Sequence, residues 1–371
     1  MRIAIVLNTS WNIYNFRLNL AKSLQQAGHE VHAVAPRDNY TPLLIKEGLT
    51  YHPVKMDSRG ANPIRDLALI FELRDIYRRI KPDVILHFTI KPNIYGTLAA
   101  ASLGIPVINN VCGLGTAFLK RDIVSKIALW LYRLSFRFAN KVFFQNADDL
   151  ELFVNSRLIE RNQADLVPGS GIDLSHFMPV PRKKEKPFTF LLISRLITDK
   201  GILEYIQAVE QLRKEGMPAR FQLLGAIDPK HKRGIPRETI QQWIDSGTIE
   251  YLGTTRDVRL FIEQADCVVL PSYREGTPRT LLEAASMGRP LIATNVPGCR
   301  QVVEHGKNGL LCASKSAEDL AAKMRMMATF SEDALQEFSF NARKKVEREF
   351  DESLVISKYL QALTSVTSNR S

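Results

Sequence analysis

Two trains of short apolar runs, each run followed by an amphipathic segment, constrain this chain more than any other feature. In the first train, RIAIVLN (2–8), EVHAVA (30–35), DVILHF (83–88), IPVINN (105–110) and KVFFQN (141–146) alternate with helical patterns such as FRLNLAKSLQQAG, which closes on Gly28. The runs are apolar throughout, as parallel strands buried on both faces are. A stretch rich in Pro, Gly and charge follows, Val167 to Pro187. The alternation then restarts with FTFLLIS (188–194), ARFQLLG (219–225), TIEYLG (248–253), DCVVLPS (266–272) and PLIAT (290–294). This predicts an α/β architecture of two doubly wound, Rossmann-like domains, 1–170 and 188–345, joined by a linker at 171–187. The C-terminal helix, 346–371, is a candidate to cross back to the first domain. Ligands of such sheets bind outside the carboxyl ends of the strands, so the expected site is a crevice where the two domains face each other.

Composition narrows the class. The 371 residues are 45% hydrophobic and 24% charged, which suits a globular chain with sizeable cores. The four cysteines form no Cys-x-x-Cys pair, which argues against a disulfide framework or a zinc site and suits a reducing compartment. The start, MRIAIVLNTSWN, reads as a buried strand and not as a signal peptide, and no run of 18 apolar residues is present. The net charge of +11 is uneven. Arg59 to Lys141 carries thirteen Lys/Arg against five Asp/Glu, which points to an anionic partner or to a solvated basic surface.

The most informative stretch is PSYREGTPRTLLEAASMGRP, Pro271 to Pro290. A strand ends at Ser272, Glu275-Gly276-Thr277 make a tight turn, Pro278 fits the first helical position, and the helix stops at Gly288. Seven residues separate Glu275 from Glu283, so one carboxylate stands at the helix mouth and the other more than a turn inside. Backbone N–H groups and the helix dipole between them favour a phosphate, and the carboxylates can accept from sugar hydroxyls. The alternative is a capping Glu and a surface Glu. Earlier, LLISRLITDKGILEYIQAVEQL places Arg195 and Lys200 before a helix, where two cations suit a diphosphate. A polar loop is the plainer reading, but cations usually avoid a helix start.

The Glu, seven residues, Glu pattern after a strand ending in PS resembles the donor signature of the retaining glycosyltransferases of family 4, which have the GT-B fold. The resemblance implies that Glu275 holds the donor sugar, Glu283 the ribose, and Arg195 and Lys200 the diphosphate, beside Gly276 and Thr277. VPGSGIDLSHFMP is similar to the family's linker. IEYLGTTRDVRLFIEQADCVVLPS is similar to the segment that cradles the base, near Leu252.

In the first half, TIKPNIYG and GLGTAF together look like a subgroup acting on undecaprenyl-diphosphate-linked sugars in bacterial glycan assembly. Asn15 and Arg17, at the start of the first helix, are acceptor-side candidates. Arg17 reads either as a phosphate ligand or as a solvated first-turn cation. Lys91 is a candidate for gripping the acceptor diphosphate. His87 reads more readily as a packed strand-end histidine than as a catalyst. In NNVCGLG many family members hold a histidine where this chain has Cys112, so no histidine role carries over. Cys112 has no cation near it in sequence and is expected to be neither nucleophile nor metal ligand, whereas Gly113 and Gly115 let backbone approach a substrate. In KRDIVSKIALWLYRLSFRFANK, Ile123, Ile127, Trp130, Leu131, Leu134 and Phe138 share one helical face. Lys120, Arg121, Lys126, Arg133 and Arg137 are interleaved with them. Such a helix either lies on an anionic membrane or simply covers the sheet.

The expected activity is therefore retaining transfer of a hexose or N-acetylhexosamine from a UDP-sugar (UDP-GalNAc, UDP-GlcNAc or UDP-Gal) to a polyprenyl-diphosphate-linked sugar. No cofactor is expected and, with no Asp-x-Asp in the sequence, no metal. No nucleic acid partner is expected. The expected location is the cytoplasmic face of a bacterial plasma membrane, peripherally bound. Two alternatives stand beside it: a UDP-N-acetylhexosamine epimerase on the same fold, and a non-catalytic nucleotide-sugar or lipid-binding protein. Neither Ser/His/Asp order nor a complete dinucleotide fingerprint is present.

Overall fold

The computed structural model describes residues 1–57, 62–114, 123–182, 187–228 and 231–368, apart from the side chains of Ile123, Val124 and Ser368. The chain divides into two units, Met1–Ser170 with Ser353–Ser371, and Gly171–Glu352.

Among the described residues, unit 1 holds seven strands: β1 (Arg2–Val6), β2 (Glu30–Ala35), β3 (Thr50–Pro53), β4 (Val84–Phe88), β5 (Val107–Val111), β6 (Lys141–Phe144) and β7 (Ala164–Leu166). They form one parallel sheet in the order β3-β2-β1-β4-β5-β6-β7. Successive side chains of a strand point to opposite faces. Ala4 and Val6 of β1 accordingly pack against Leu69, Leu73, Tyr132, Phe136 and Phe153. Ile3 and Ile5 face the other way, onto Ile13, Leu20, Val355 and Tyr359. The strand order reverses between β1 and β4, which makes the carboxyl ends of these two strands the switch point of the sheet.

Unit 2 repeats the plan with β8 (Phe188–Ile193), β9 (Ala219–Leu224), β10 (Glu250–Tyr251), β11 (Cys267–Leu270), β12 (Leu291–Thr294) and β13 (Gly309–Cys312). They are all parallel, in the order β10-β9-β8-β11-β12-β13, with the reversal between β8 and β11. Phe190 and Leu192 bury on one face of β8, and Leu191 and Ile193 on the other.

Three strands have no counterpart among the predicted runs: β3, β7 and β13. Each is an edge strand of three or four residues. An edge strand is covered on fewer sides, so it lacks the long apolar run that marks a central one. The second division of the chain falls at Glu352 and not at 345, because Glu332–Glu349 is one uninterrupted helix. Its Leu335, Phe338, Ala342 and Val346 belong to the cores of unit 2. The final helix, Glu352–Ser368, belongs to unit 1. Its Tyr359 sits 4.9 Å from the Phe143 ring and accepts from Asn110 Nδ2 at 2.7 Å, while Lys358 donates to the Leu166 carbonyl at 2.6 Å.

Candidate active site

At the switch point of unit 2 the loops leaving β8 and β11 are tied together. After β8 the chain makes a tight turn, Thr198–Lys200, then Gly201 opens the helix Ile202–Lys214. The Asp199 carbonyl accepts from the Tyr273 amide at 2.9 Å and the Ser272 hydroxyl at 3.2 Å. Gly201 has φ +70°, and a Cβ there would lie 2.0 Å from the Pro271 carbonyl oxygen. Only glycine satisfies both that backbone and that approach. Gly298, at φ +82°, plays the same part from the loop after β12, where a Cβ would lie 2.2 Å from the Gly276 carbonyl oxygen.

The charged groups follow from this frame. Lys200 Nζ donates to Glu275 Oε1, with both side chains largely shielded from solvent. Glu283 is buried on the helix Arg279–Ser286 and accepts from Arg279 Nε at 2.9 Å. Burial pushes its carboxyl pKa up, and Arg279 opposes that rise. Pro278 stands one position before the helix, not at its first residue, so Glu275-Gly276-Thr277 form the turn ahead of it. Arg195 is exposed just past the end of β8, and no carboxylate pairs with it among the described residues. The Leu252 amide donates to the Leu223 carbonyl and the Gly225 amide to the Gly253 carbonyl, both at 2.9 Å, while a Cβ on Gly225 would collide with Ser194 O. The ends of β8, β9 and β10 thus meet beside Arg195. Unit 2 brings Arg195, Lys200, Leu252, Gly276, Thr277, Glu275 and Glu283 to one edge of its sheet.

Tyr273 was not singled out from sequence. Its hydroxyl donates to Glu204 Oε1 at 2.6 Å, and Lys315 Nζ lies 5.0 Å from its ring centroid. Its position between two residues of the PS…EG stretch was the available signal.

The candidates of unit 1 differ in burial and in partners. His87, the fourth residue of β4, is fully buried, the packed strand-end histidine that its place in the sequence favours. Its ring nitrogens meet the Tyr77 hydroxyl at 2.9 Å and Asn109 Oδ1 at 3.0 Å, and burial lowers its pKa to about 3. Lys91 pairs with the buried Asp66 at 2.7 Å, and Tyr95 donates to the same carboxylate at 3.1 Å. Arg17 is not a solvated first-turn cation: it is 3% exposed, and its guanidinium covers the Phe88 ring at 4.3 Å. That guanidinium lies 4.0 Å from Cys112 Sγ, so the cation missing from the neighbouring sequence arrives from 95 residues away. Asn15 donates back to the Trp11 carbonyl within its own helix. Gly113 adopts φ +113°. Gly115, Lys120 and Arg121 lie outside the described residues.

The helix Ile123–Phe136 presents Tyr132 and Phe136 to the core and so covers the sheet with that side. Ile127, Trp130 and Phe138 stay more than half exposed, beside exposed Lys126, Arg133 and Arg137. Among the described residues no helix is long and apolar enough to cross a membrane.

The model of the group 1 glycosyl transferases matches residues 187–329, and that of the glycosyl transferase 4-like domains matches residues 2–146. The chain is a family 4 glycosyltransferase. It is similar along its full length, at 29% identity, to the N,N'-diacetylbacillosaminyl-diphospho-undecaprenol alpha-1,3-N-acetylgalactosaminyltransferase of Campylobacter jejuni, all of which is covered. It is 24% identical to an Escherichia coli UDP-Gal:alpha-D-GlcNAc-diphosphoundecaprenol alpha-1,3-galactosyltransferase, covering 79% of this chain and 78% of that one. Among solved structures, the Anabaena HepE complex with UDP and glucose superposes with a TM-score of 0.81 at 18% identity, over 98% of this chain and all of the other. A Rickettsia africae glycosyltransferase gives 0.81 at 19% identity, over 99% of each chain. The fold of this glycosyltransferase is GT-B.

Proposed function

We propose that this family 4 glycosyltransferase moves a hexose or N-acetylhexosamine, with retention, from a UDP-sugar to a sugar carried on a polyprenyl diphosphate. The observation that carries the donor half is the Lys200–Glu275 pair at the switch point of unit 2. Arg195 and Lys200 meet the diphosphate, Glu283 accepts from the ribose hydroxyls, and Glu275 accepts from the hexose. The bond from the anomeric carbon to the phosphate oxygen breaks as the acceptor oxygen bonds to that carbon on the same face. The acceptor's proton passes to the departing phosphate. The Lys200 ammonium and the turn at Gly276–Thr277 stabilise the charge that develops on the leaving diphosphate, a role these residues fill without a metal ion. The full-length similarity to a transferase named for an undecaprenol-linked acceptor supports the acceptor class, and its alpha-linked product supports retention. Exposed Ile127 and Trp130 among Lys126, Arg133 and Arg137 support peripheral contact with an anionic membrane at its cytoplasmic face.

The test is UDP release from a panel of UDP-sugars, with and without short polyprenyl-diphosphate sugars, followed by mass analysis of the product. Acceptor-dependent UDP release with a matching mass gain is expected. Epimerised UDP-sugar without UDP release, or binding without any turnover, overturns the reading.

A further inference from the structure

Three Lys or Arg side chains are buried among the described residues: Arg17, Arg289 and Lys345. A buried cation is costly unless it is answered by hydrogen bonds or an opposite charge. Arg289 donates to the carbonyls of Val180, Ile262, Glu263 and Met287. Lys345 pairs with Glu304 at 2.6 Å and Glu349 at 2.8 Å. Arg17 has the face of Phe88 and a thiol at 4.0 Å, and no carboxylate pairs with it among the described residues. A ring face and a thiol leave most of the guanidinium's five N–H donors without a protein partner among the described residues.

Its location is that of a ligand site. Phe88 ends β4, and Cys112 directly follows β5, so Arg17 sits over the carboxyl ends of the strands beside the reversal in unit 1. The residue after Phe88, Thr89, has a buried hydroxyl with no hydrogen-bond partner among the described residues. Asn93, fully buried, donates to the Asn110 carbonyl at 2.8 Å, while its own Oδ1 has no partner among the described residues. Asn110 Oδ1 accepts from Cys112 Sγ at 3.2 Å, which joins these groups to Arg17. Lys91, the cation expected from sequence to grip a phosphate, is held by the carboxylate of Asp66, which is itself buried and also takes the Tyr95 hydroxyl.

We propose that Arg17, not Lys91, is the cation of unit 1 that receives a diphosphate, namely that of the lipid-linked acceptor. The guanidinium edge forks onto phosphate oxygens while Phe88 carries its face. The Thr89 hydroxyl adds a donor, and Asn93 Oδ1 takes a hydroxyl. This assignment rests on the acceptor class proposed above.

The test uses the full chain with UDP at saturation, so that added diphosphate does not report on the donor site. Inorganic pyrophosphate and geranyl diphosphate are titrated while thermal unfolding is followed. Both are expected to raise the Tm of the wild-type protein by on the order of 2 °C. Without ligand, Arg17→Met should melt no lower than wild type, because it removes an unanswered buried charge, and it should show no response to either diphosphate. Arg17→Gln carries the same comparison if Arg17→Met does not fold. An equal response in wild type and variant overturns the proposal. A response to pyrophosphate without one to geranyl diphosphate overturns the acceptor assignment. In turnover, Arg17→Gln should raise the KM for the lipid-linked sugar by roughly 10–100-fold, with little change in that for the UDP-sugar. The reverse split also overturns it. If instead no UDP-sugar yields UDP with any acceptor, the functional reading has failed, a result the melting experiment does not depend on.

Discussion

Lys200 and Glu275, 75 residues apart in sequence, form an ion pair that joins the loop after β8 to the loop after β11. Each side chain fixes the other, so each stands ready for a ligand in one orientation. Lys200→Ala and Glu275→Ala should each lower kcat/KM by about 10²–10³-fold with the fold retained. Steady-state UDP release and circular dichroism check this. Because the two act as a unit, the double variant should be little worse than either single one. Full additivity would count against a coupled pair.

Gly201 has no room for a side chain. Gly201→Ala places a methyl against the Pro271 carbonyl in a backbone conformation that L residues rarely adopt. A loss of roughly 2–4 kcal/mol is expected, read as a lower urea midpoint. Gly247 also has positive φ, but a Cβ there meets nothing within 4 Å, so Gly247→Ala should cost clearly less.

His87 makes stability depend on acid. Its pKa falls from 6.5 to about 3 in the folded chain because burial disfavours the imidazolium. Its neutral form is fully compatible with folding above pH 6.5. As pH falls from about 6.5 towards 3, the unfolded chain takes up a proton that the folded chain refuses, and stability declines. His87→Gln should flatten that decline by up to about 1.4 kcal/mol per pH unit, seen in urea titrations at a series of pH values.

The exposed Ile127–Trp130 face predicts salt-sensitive binding to vesicles containing anionic lipid. Lys126→Glu with Arg133→Glu should weaken it about tenfold or more, and Trp130→Ser should weaken it with less dependence on salt. Sedimentation with vesicles of two compositions measures both. Equal binding to neutral and anionic vesicles would contradict it.

Cys112→Ser should keep substantial turnover, since no bond to sulfur forms in the proposed transfer. Gly113→Val should not, because Gly113 holds φ +113°, a conformation a β-branched residue avoids. Parallel UDP-release assays decide.

The sequence displayed local features well and distant ones poorly. The central strands showed because burial on both faces demands a continuous apolar run; β3, β7 and β13 did not, being short edges. The Glu275–Glu283 spacing was legible because one turn and one helix carry it. The partners of Lys91 and Cys112 come from 25 and 95 residues away, and no local pattern encodes such meetings. Arg17 illustrates the difficulty: helical position alone allows solvent or core, and only the packing of Phe88 beneath it decides.

The helix Glu352–Ser368 sets an order of events during synthesis. Val355, Tyr359, Leu363 and Val366 fill the same core as Ile3, Ile5 and Ile13, so that layer lacks part of its cover until the helix that carries them has emerged. Unit 2, which is continuous in sequence, has all its strands available earlier. The half made first is thus the last to be completed, and in the interval its exposed apolar layer is where a nascent chain would need shielding.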